Sequence, residues 1–370
     1  MRSTVEVGTD GGGGGGGGPD AVPRTVLLLP GQGAQRERMA AGLHGRIPEF
    51  TEAADEFLGL LGAEGERLRE VWLRPGTGPA LDGAATAQPL LFAVGYALGR
   101  AVAARVPGAP AVLLGHSVGE LAAACLAGVL PLTGAARLMA ARGRALRTAP
   151  PGGMLAVAAS VAGVGPFLGG GVTVGAVNGP RQTVLCGPRE PLARAAERAG
   201  AAGLTVRPLR SDVGFHGPSL AGAAHALRAA LDPERARWRA PRLPVYSSRT
   251  ARPVTPAEAV RPDFWCDQVA LPVLYWPALR ALLAAEAAAP ERKLLLLDAS
   301  PDRSLGAPAR RHPAVRAGRA AVVGLLPPRT AGTDEDPRVF ETAMENLTAA
   351  RAGVPSRGRG VVRGARYGPV

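Results

Sequence analysis

The residue pattern with the clearest chemical meaning is the pentad 115–119, Gly-His-Ser-Val-Gly. It fits the G-x-S-x-G motif and lies between a predicted strand and a predicted helix, the context in which a sharp turn exposes a nucleophilic serine. The flanking glycines permit such a turn, and the helix N-terminus supplies backbone N–H donors and a positive dipole end. A chain with 51 glycines can also contain this pentad by chance. The flanking elements favour Ser117 as a nucleophile.

A serine hydroxyl is a weak nucleophile and needs a neighbouring base. The sequence offers five histidines: His44, His116, His216, His225 and His312. His216 lies in the segment 213–218, between a predicted strand and a predicted helix, where a loop can present its ring. The alternative is a solvated loop histidine. The backbone N–H of Val118, at the start of the helix after Ser117, is a candidate donor to the oxyanion that acyl transfer builds.

Short apolar runs and helical periodicity predict the elements that would position these residues. Strands are predicted at 25–30, 111–114 and 293–297. Helices are predicted at 87–105, 118–127 and 131–147, the last with Thr133 as a candidate cap. Strands that alternate with helices predict a parallel sheet covered on both faces.

The stretch from residue 152 to 210 has a different pattern of predicted elements, with several short strands close together. Its strands are predicted at 154–159, 172–177, 182–187 and 204–208, with a helix at 190–202 and an Asn-Gly-Pro turn at 178–180. This βαββαβ-like order predicts a small open-faced sandwich. The predicted fold is therefore α/β, with an α/β-hydrolase-like large subdomain and an inserted ferredoxin-like small subdomain.

The predicted domain boundaries follow from this division. The large subdomain covers 24–150 and 211–327, and the small subdomain covers 151–210. Residues 1–23 contain eight consecutive glycines at 11–18 and are predicted to be a disordered tail. Residues 328–370 are predicted to be a basic disordered tail, because the last twenty residues carry five arginines and no acidic residue.

The composition narrows the class of protein further. The net charge of +13 suits an acidic partner such as a carrier protein, although arginines scattered over a solvated surface would give the same charge. The sequence shows no aromatic-interleaved basic stripe, which argues against nucleic acid as a partner. Nucleic-acid binding by the basic tail, residues 351–370, is a separate hypothesis. Three widely separated cysteines predict neither a disulfide framework nor a metal site and fit a reducing cytoplasm. We expect no membrane association.

Five motifs in order give a specific resemblance. Residues 115–120 (GHSVGE) and the following LAAACLAGVL resemble the nucleophile segment of malonyl-CoA:acyl-carrier-protein transacylases and of polyketide synthase acyltransferase domains. The other four matches are 30–35 (PGQGAQ), Arg142, 214–216 (GFH) and 294–301 (LLLLDASP). The resemblance covers about residues 24–326, nearly all of the predicted folded part.

This resemblance implies roles for further residues. The backbone N–H of Gln32 would be the second oxyanion donor, beside that of Val118. Arg142 would grip a free carboxylate of the acyl donor, which a guanidinium does bidentately. The backbone carbonyl of Gln268 would orient His216, and the Gln268 side chain would not be the working group, so its substitution is expected to be silent.

The remaining implied roles concern the acyl pocket. His116 would line the pocket, and Asn178 matches a family position near the site, although a simple turn role fits Asn178 equally well. In the modular polyketide enzymes a Phe before the catalytic histidine accompanies malonyl, and Phe215 occupies that place here. One methyl group changes the discrimination between two substrates by only about 1–3 kcal/mol, so Phe215 implies a limited preference for malonyl over methylmalonyl.

The resemblance implies a serine acyltransferase without a permanently bound cofactor or metal. Malonyl-CoA would be the donor, and the phosphopantetheine thiol of an acyl carrier protein the acceptor, for fatty acid or polyketide biosynthesis. No ketosynthase segment precedes the motifs, so the chain is expected to be free-standing, with a ketosynthase acting in trans. The alternatives are a thioester hydrolase with the same serine, methylmalonyl as the donor, and a non-catalytic scaffold that binds carrier protein.

Overall fold

The computed structural model describes residues 21–231, 237–288, 292–328 and 332–352. Its strands are β1 Ala21–Leu29, β2 Val112–Gly115, β3 Gly153–Val157, β4 Thr173–Gly179, β5 Gln182–Gly187, β6 Val206–Leu209, β7 Val245–Ser247, β8 Arg252–Pro253, β9 Arg292–Asp298 and β10 Ala320–Gly324. Its α-helices are α1 Pro48–Leu60, α2 Ala63–Leu73, α3 Ala84–Arg105, α4 Val118–Leu126, α5 Leu132–Arg147, α6 Val161–Val164, α7 Arg189–Ala201, α8 Ala221–Leu231, α9 Pro256–Ala259, α10 Pro262–Cys266, α11 Tyr275–Glu286, α12 Gly306–Arg310, α13 Pro313–Arg316 and α14 Asp336–Arg351.

The larger sheet has six strands in the order β10-β9-β1-β2-β7-β8. Its pairs are parallel except for the short edge strand β8, which is antiparallel to β7. Leu29 at the end of β1 pairs with Gly115 at the end of β2. The loops that follow these two strands therefore meet at the carboxyl edge of the sheet, where open α/β sheets place ligands.

Side chains of β1 alternate between the two faces of this sheet, as the period of two in a strand requires. Leu27 and Leu29 join the larger apolar cluster, which α1, α3, α4 and α5 supply. Val26 and Leu28 join a second cluster, to which α11 contributes. Both faces are covered, and this explains why residues 26–29 of the strand form a continuous apolar run.

Helix α3 lies almost entirely within the protein. It is the one helix of the described residues that is long and apolar enough to cross a membrane by length and composition, and 83% of its most apolar window is buried. Burial against β1 and its neighbouring helices accounts for that composition, as for the core helix of a large domain.

The smaller sheet has the order β4-β5-β3-β6 with all pairs antiparallel. With α6 and α7 between its strands, it has the βαββαβ connectivity of a ferredoxin-like unit, and it has an apolar cluster of its own. The chain enters and leaves this unit at one place, where Gly152 N donates to Asp212 O at 2.9 Å. The predicted fold class, a parallel α/β unit with a small second sheet, is confirmed.

The structure corrects the predicted C-terminal tail. Residues 336–351 form helix α14, and Phe340, Ala343, Met344 and Leu347 are buried in the larger cluster. Their spacing of three, four and seven residues is that of one apolar helix face, but the arginine-rich end of the chain dominated the sequence interpretation. The remainder of both predicted tails, residues 1–20 and 353–370, lies outside the described residues.

Three smaller differences concern element ends. Strand β1 begins at Ala21, three residues before the predicted boundary of the large subdomain. Helix α5 begins after Pro131 without a side-chain cap, so the prediction of Thr133 as a cap is wrong. Several whole elements are not predicted from the sequence, among them helices α1, α2 and α11 and strands β7 and β10.

Candidate active site

The turn between β2 and α4 carries Ser117 in a conformation that non-glycine residues rarely adopt, with φ 51° and ψ −120°. The glycines on either side allow this turn by having no side chain. A Cβ at Gly115 would lie 2.2 Å from Glu120 N, and a Cβ at Gly119 would lie 2.2 Å from Leu29 O. Backbone strain of this kind costs on the order of 1–3 kcal/mol and persists where the surroundings hold it.

Ser117 and His216 are in direct contact. Ser117 Oγ lies 2.8 Å from His216 Nε2, and both residues are 4% exposed. His216 Nδ1 lies 3.0 Å from the carbonyl oxygens of Gln268 and Leu271. Because carbonyl oxygens only accept, Nδ1 carries the ring proton, and Nε2 is left to accept the serine hydroxyl. Sequence reasoning named the Gln268 carbonyl but missed that of Leu271.

The environment keeps the His216 ring neutral. Burial, followed by the charges of Arg142 and His116, lowers its pKa to about 3, although the two carbonyl oxygens act in the opposite direction. The backbone is fixed as well, since His216 has φ 65° and its N–H donates to Val269 O at 2.9 Å. The imidazole is therefore ready to accept a proton at neutral pH.

The side chain of Gln268 hydrogen-bonds the turn that carries Ser117, contrary to the expectation that this side chain has no role. Its Nε2 donates to Ser117 O at 2.6 Å and to Glu120 Oε2 at 3.3 Å. Ser248 Oγ donates to the same Glu120 oxygen at 2.8 Å. Burial raises the pKa of Glu120, which is 1% exposed. Gln268 thus contacts Ser117 through its amide and His216 through its backbone.

The two residues predicted to supply oxyanion donors, Val118 and Gln32, both lie next to Ser117 or to its loop neighbours. Val118 is the first residue of α4, where N–H groups lack an intrahelical acceptor. Gln32 follows Gly31 in the loop after β1, and a Cβ at Gly31 would lie 2.6 Å from His116 Nδ1 and 3.1 Å from Ser117 Cβ. The loop backbone therefore passes directly beside Ser117.

Arg142 projects from α5 into the interior and is 1% exposed. Its Nε donates to Gln88 Oε1 at 2.6 Å. Among the described residues, Nη1 and Nη2 have no hydrogen-bond partner. Burial lowers the pKa of Arg142 to about 10, so the guanidinium is charged at neutral pH. A buried cation with two free donors can bind an anionic group bidentately.

The two subdomains meet at His116 and Asn178. His116 Nε2 lies 2.8 Å from Asn178 Oδ1, and the His116 ring lies 5.7 Å from that of Tyr275. Burial lowers the pKa of His116. Phe215 is buried beside His216, with ring centroids 6.3 Å apart.

These residues line one cavity of about 810 Å³ between the large and small subdomains. Ser117, His216, Gln32, His116, Asn178 and Phe215 all contribute to its wall. Gln88, which accepts from Arg142 Nε, also lines the cavity, whereas Arg142 itself is not one of the lining residues. Its volume suits an extended ligand with one end at the serine. Within the described ranges, no three His, Cys, Asp or Glu side chains come together to hold a metal ion.

The arrangement can support nucleophilic acyl chemistry: a hydroxyl activated by a neutral imidazole, adjacent backbone donors and a buried cation. Sequence reasoning missed Gln88 and Glu120, although both are polar residues inside apolar helical segments. A buried polar side chain needs a partner, so their position was the available signal.

Comparison of the chain with known proteins finds acyl transferase and polyketide synthase relatives. A family model described as an acyl transferase domain matches residues 26–348. A phenolphthiocerol/phthiocerol polyketide synthase polypeptide of Mycobacterium tuberculosis (strain CDC 1551 / Oshkosh) is 35% identical over 299 residues, 80% of this chain. The chain spans only 19% of that relative's length.

Solved structures have the same fold. The acyltransferase domain from the second module of the salinomycin polyketide synthase matches with a TM-score of 0.75 and 33% identity, over 90% of this chain and 76% of that one. A malonyl-transacylase in complex with its type II polyketide acyl-carrier protein matches with a TM-score of 0.74 and 24% identity, over 87% of this chain and 99% of that one.

Proposed function

The chain belongs to the acyl transferase domain family, and on that premise we propose that it moves a malonyl group from coenzyme A to the phosphopantetheine thiol of an acyl carrier protein. Ser117 is the nucleophile and His216 its base. The observation that carries the proposal is the 2.8 Å contact between Ser117 Oγ and the unprotonated Nε2 of His216, beside the buried Arg142. The relatives' roles in polyketide synthesis suggest the pathway.

In the first half-reaction, His216 Nε2 takes the proton of Ser117 Oγ as the oxygen attacks the thioester carbonyl. The backbone N–H groups of Gln32 and Val118 stabilise the oxyanion of the tetrahedral intermediate. The C–S bond then breaks, the thiolate of coenzyme A takes the proton from His216, and malonyl remains as an ester of Ser117. The carbonyls of Gln268 and Leu271 stabilise the transient imidazolium through Nδ1–H.

In the second half-reaction, the carrier protein's thiol enters the same cavity and gives its proton to His216. The thiolate attacks the ester carbonyl, and the serine oxygen leaves with the proton from His216. A solved malonyl-transacylase of the same fold is in complex with its acyl-carrier protein, which supports this choice of acceptor. Transfer requires that water stay away from the ester, and the buried position of Ser117 favours this.

Arg142 supports a dicarboxylic donor. Its two Nη atoms have no partner among the described residues, and a carboxylate at the far end of malonyl would satisfy both. Phe215 is buried beside the His216 ring and lines the cavity, so its bulk supports a donor without an α-methyl group. We therefore propose malonyl ahead of methylmalonyl, a preference of about 1–3 kcal/mol at most.

Intact-mass spectrometry with malonyl-, methylmalonyl- and acetyl-CoA tests the proposal, with Ser117→Ala as the control. We expect one malonyl adduct, absent from the control, and its loss when a carrier protein with a free phosphopantetheine thiol is added. Release of coenzyme A without an adduct and without a loaded carrier would indicate a hydrolase. No adduct and no release from any donor would refute catalysis by Ser117.

A further inference from the structure

One wall of the cavity is built by residues 299–308, which follow strand β9 and include the start of helix α12. Ser304 in this wall is exposed, whereas its neighbour Leu305 is 6% exposed. Tyr275 continues the wall inward, since it also lines the cavity. Its ring centroid lies 5.7 Å from that of His116, the residue before the proposed nucleophile. The wall therefore runs from the protein surface to the reacting serine.

The Tyr275 hydroxyl fixes the deep end of this wall. It donates to Leu305 O at 2.8 Å, and Tyr275 is 1% exposed. A hydroxyl that is removed from water in this way needs a partner within the protein, and the Leu305 carbonyl is that partner. The oxygen adds nothing to the apolar packing of the ring, so its contribution is the hold on the Leu305 backbone.

Asp298, the last residue of β9, ties the two ends of the segment 299–306 together. It is 0% exposed. Its Oδ1 accepts from Ser300 N at 2.9 Å and from the Ser300 hydroxyl, and its Oδ2 accepts from Gly306 N at 2.7 Å. The Ser300 hydroxyl in turn accepts from Leu305 N at 3.4 Å. Hydrogen bonds to a carboxylate are stronger than those between neutral groups, so this buried carboxylate is a firm support for the segment.

The close approach of the two ends depends on a glycine. A Cβ at Gly306 would lie 2.6 Å from Val322 Cγ1 and 2.8 Å from Asp298 Oδ2. With Tyr275 at the deep end and Asp298 at the strand end, the backbone of the segment is held at both ends before any ligand arrives.

The wall lies on the route by which a thioester reaches Ser117. If the acyl group points toward the buried Arg142, the rest of the thioester must extend from the serine to the surface. Pantetheine, which coenzyme A and the carrier protein share, alternates short hydrocarbon stretches with amides. The apolar side chains of Leu305 and Pro308 and the exposed hydroxyl of Ser304 offer a surface of matching character.

We propose that Tyr275 and Asp298 are positioning residues, which hold residues 299–306 as a preformed wall for the pantetheine arm of both donor and acceptor. The inference rests on the proposed function, because it concerns the arm of the same thioesters. A wall that is ordered before binding spares the cost of ordering it during binding. Loss of this hold should weaken binding of the arm and leave the acyl chemistry at Ser117 intact.

Tyr275→Phe removes the hydroxyl and keeps the ring. We expect kcat/KM for Ser117 acylation by malonyl-CoA to fall about 3- to 10-fold, mainly through KM, which is the effect of one buried hydrogen bond. The malonyl thioester of N-acetylcysteamine carries the same acyl group on a truncated arm. Its kcat/KM should change less than about twofold. Rapid-quench intact-mass spectrometry over a series of donor concentrations measures both.

Tyr96→Phe is the matched control. Tyr96 is also buried, and its hydroxyl accepts from Arg100 Nη1 at 2.9 Å, but it is not one of the residues that line the cavity. Its loss should change kcat/KM for either donor less than about twofold. Thermal denaturation checks that each variant is folded.

Asp298→Asn tests the other end of the segment, because an amide nitrogen would replace one of the two acceptors for backbone N–H groups. We expect the same selective loss with the coenzyme A donor. Since Tyr275 and Asp298 act through one segment, the double variant should lose less than the product of the two separate effects. The Tyr275→Phe comparison stands by itself if Asp298→Asn is not folded.

The outcomes separate this inference from its premise. A wild-type protein that no acyl-CoA acylates would overturn the proposed function and the inference with it. If an acyl group other than malonyl loads Ser117, malonyl as the donor is wrong, and the same pair of long and short donors with that group decides the inference. Equal losses for long and short donors in folded Tyr275→Phe, or no loss for either, would overturn the inference alone. Independent effects of the two variants would overturn the role of Asp298.

Discussion

Replacing Arg142 by methionine should abolish malonyl loading at little or no cost in stability. Most large buried side chains contribute to stability, and truncating them costs about 2–5 kcal/mol. Arg142 is different, because it is buried as a cation whose Nη atoms have no partner among the described residues. Methionine has a similar length and no charge to desolvate.

The magnitude follows from the pKa of the guanidinium. Burial lowers it from 12.5 to about 10, which corresponds to about 3 kcal/mol for holding the charge inside the protein. The cost is fully present at every pH below the folded-state pKa and declines only above about pH 10. The substitution leaves Gln88 Oε1 without its donor, which costs about 1–3 kcal/mol. We therefore expect a change in the free energy of unfolding between zero and about 2 kcal/mol of stabilisation.

Urea denaturation at neutral pH, followed by circular dichroism, measures the change, and intact-mass spectrometry measures malonyl loading. Arg144→Met is the matched control, since Arg144 is exposed on the same helix. It should change stability by less than about 0.5 kcal/mol and keep wild-type loading. If Arg142→Met destabilises the protein by more than about 2 kcal/mol, or loads malonyl at the wild-type rate, the argument from an unpaired buried cation is wrong.

Other predictions concern the surroundings of Ser117 and the end of the chain. Gln268→Met keeps the volume of the side chain but loses the donor to Ser117 O. It should lower the free energy of unfolding by about 1–3 kcal/mol and slow acylation. An unchanged urea denaturation curve and an unchanged acylation rate would mean that the amide is dispensable. Because the pKa of His216 is lowered to about 3, its ring is almost entirely unprotonated between about pH 5 and about pH 8, so kcat/KM for acylation should stay flat over that range. An acid limb near pH 6.5, the ordinary histidine value, would contradict the buried environment. Deletion of residues 332–370 removes Phe340 and the rest of the buried face of α14, so it should expose the part of the larger apolar cluster that this face covers and leave little folded protein. Deletion of 353–370 should leave the thermal midpoint unchanged.

The parts of the fold that the sequence predicts are those with local signals. Strands β1, β2 and β9 are continuous apolar runs, because both faces of the sheet are covered. The pentad around Ser117 predicts its own turn, since the two glycines have no room for a side chain. The small subdomain is likewise predicted by its alternation of short strands and helices.

The features that the sequence did not predict are of two kinds. Some are contacts between residues far apart in the chain, and others lie where an adjoining segment of different composition obscures the pattern. Glu120 is bound by Ser248 and Gln268, 128 and 148 residues away, and no local pattern pairs them. Helix α14 adjoins an arginine-rich end, and the composition averaged over both conceals its apolar face. The Gln268 amide contacts Ser117 O, 151 residues away, and the resemblance implies a role only for the Gln268 backbone.

The chain connects the small subdomain to the large one at a single place, so it is a unit that can be exchanged between relatives. Gly152 N donates to Asp212 O, and a Cβ at Gly152 would lie 2.6 Å from Gly214 N, so the inserted segment starts and finishes at neighbouring points. One uninterrupted stretch of coding sequence can then be recombined as a cassette. Such a graft would replace Asn178 and the other small-subdomain residues that line the cavity, while Ser117 and His216 stay on the large subdomain. The junction at Gly152 and Asp212 is therefore the place to join chimaeras.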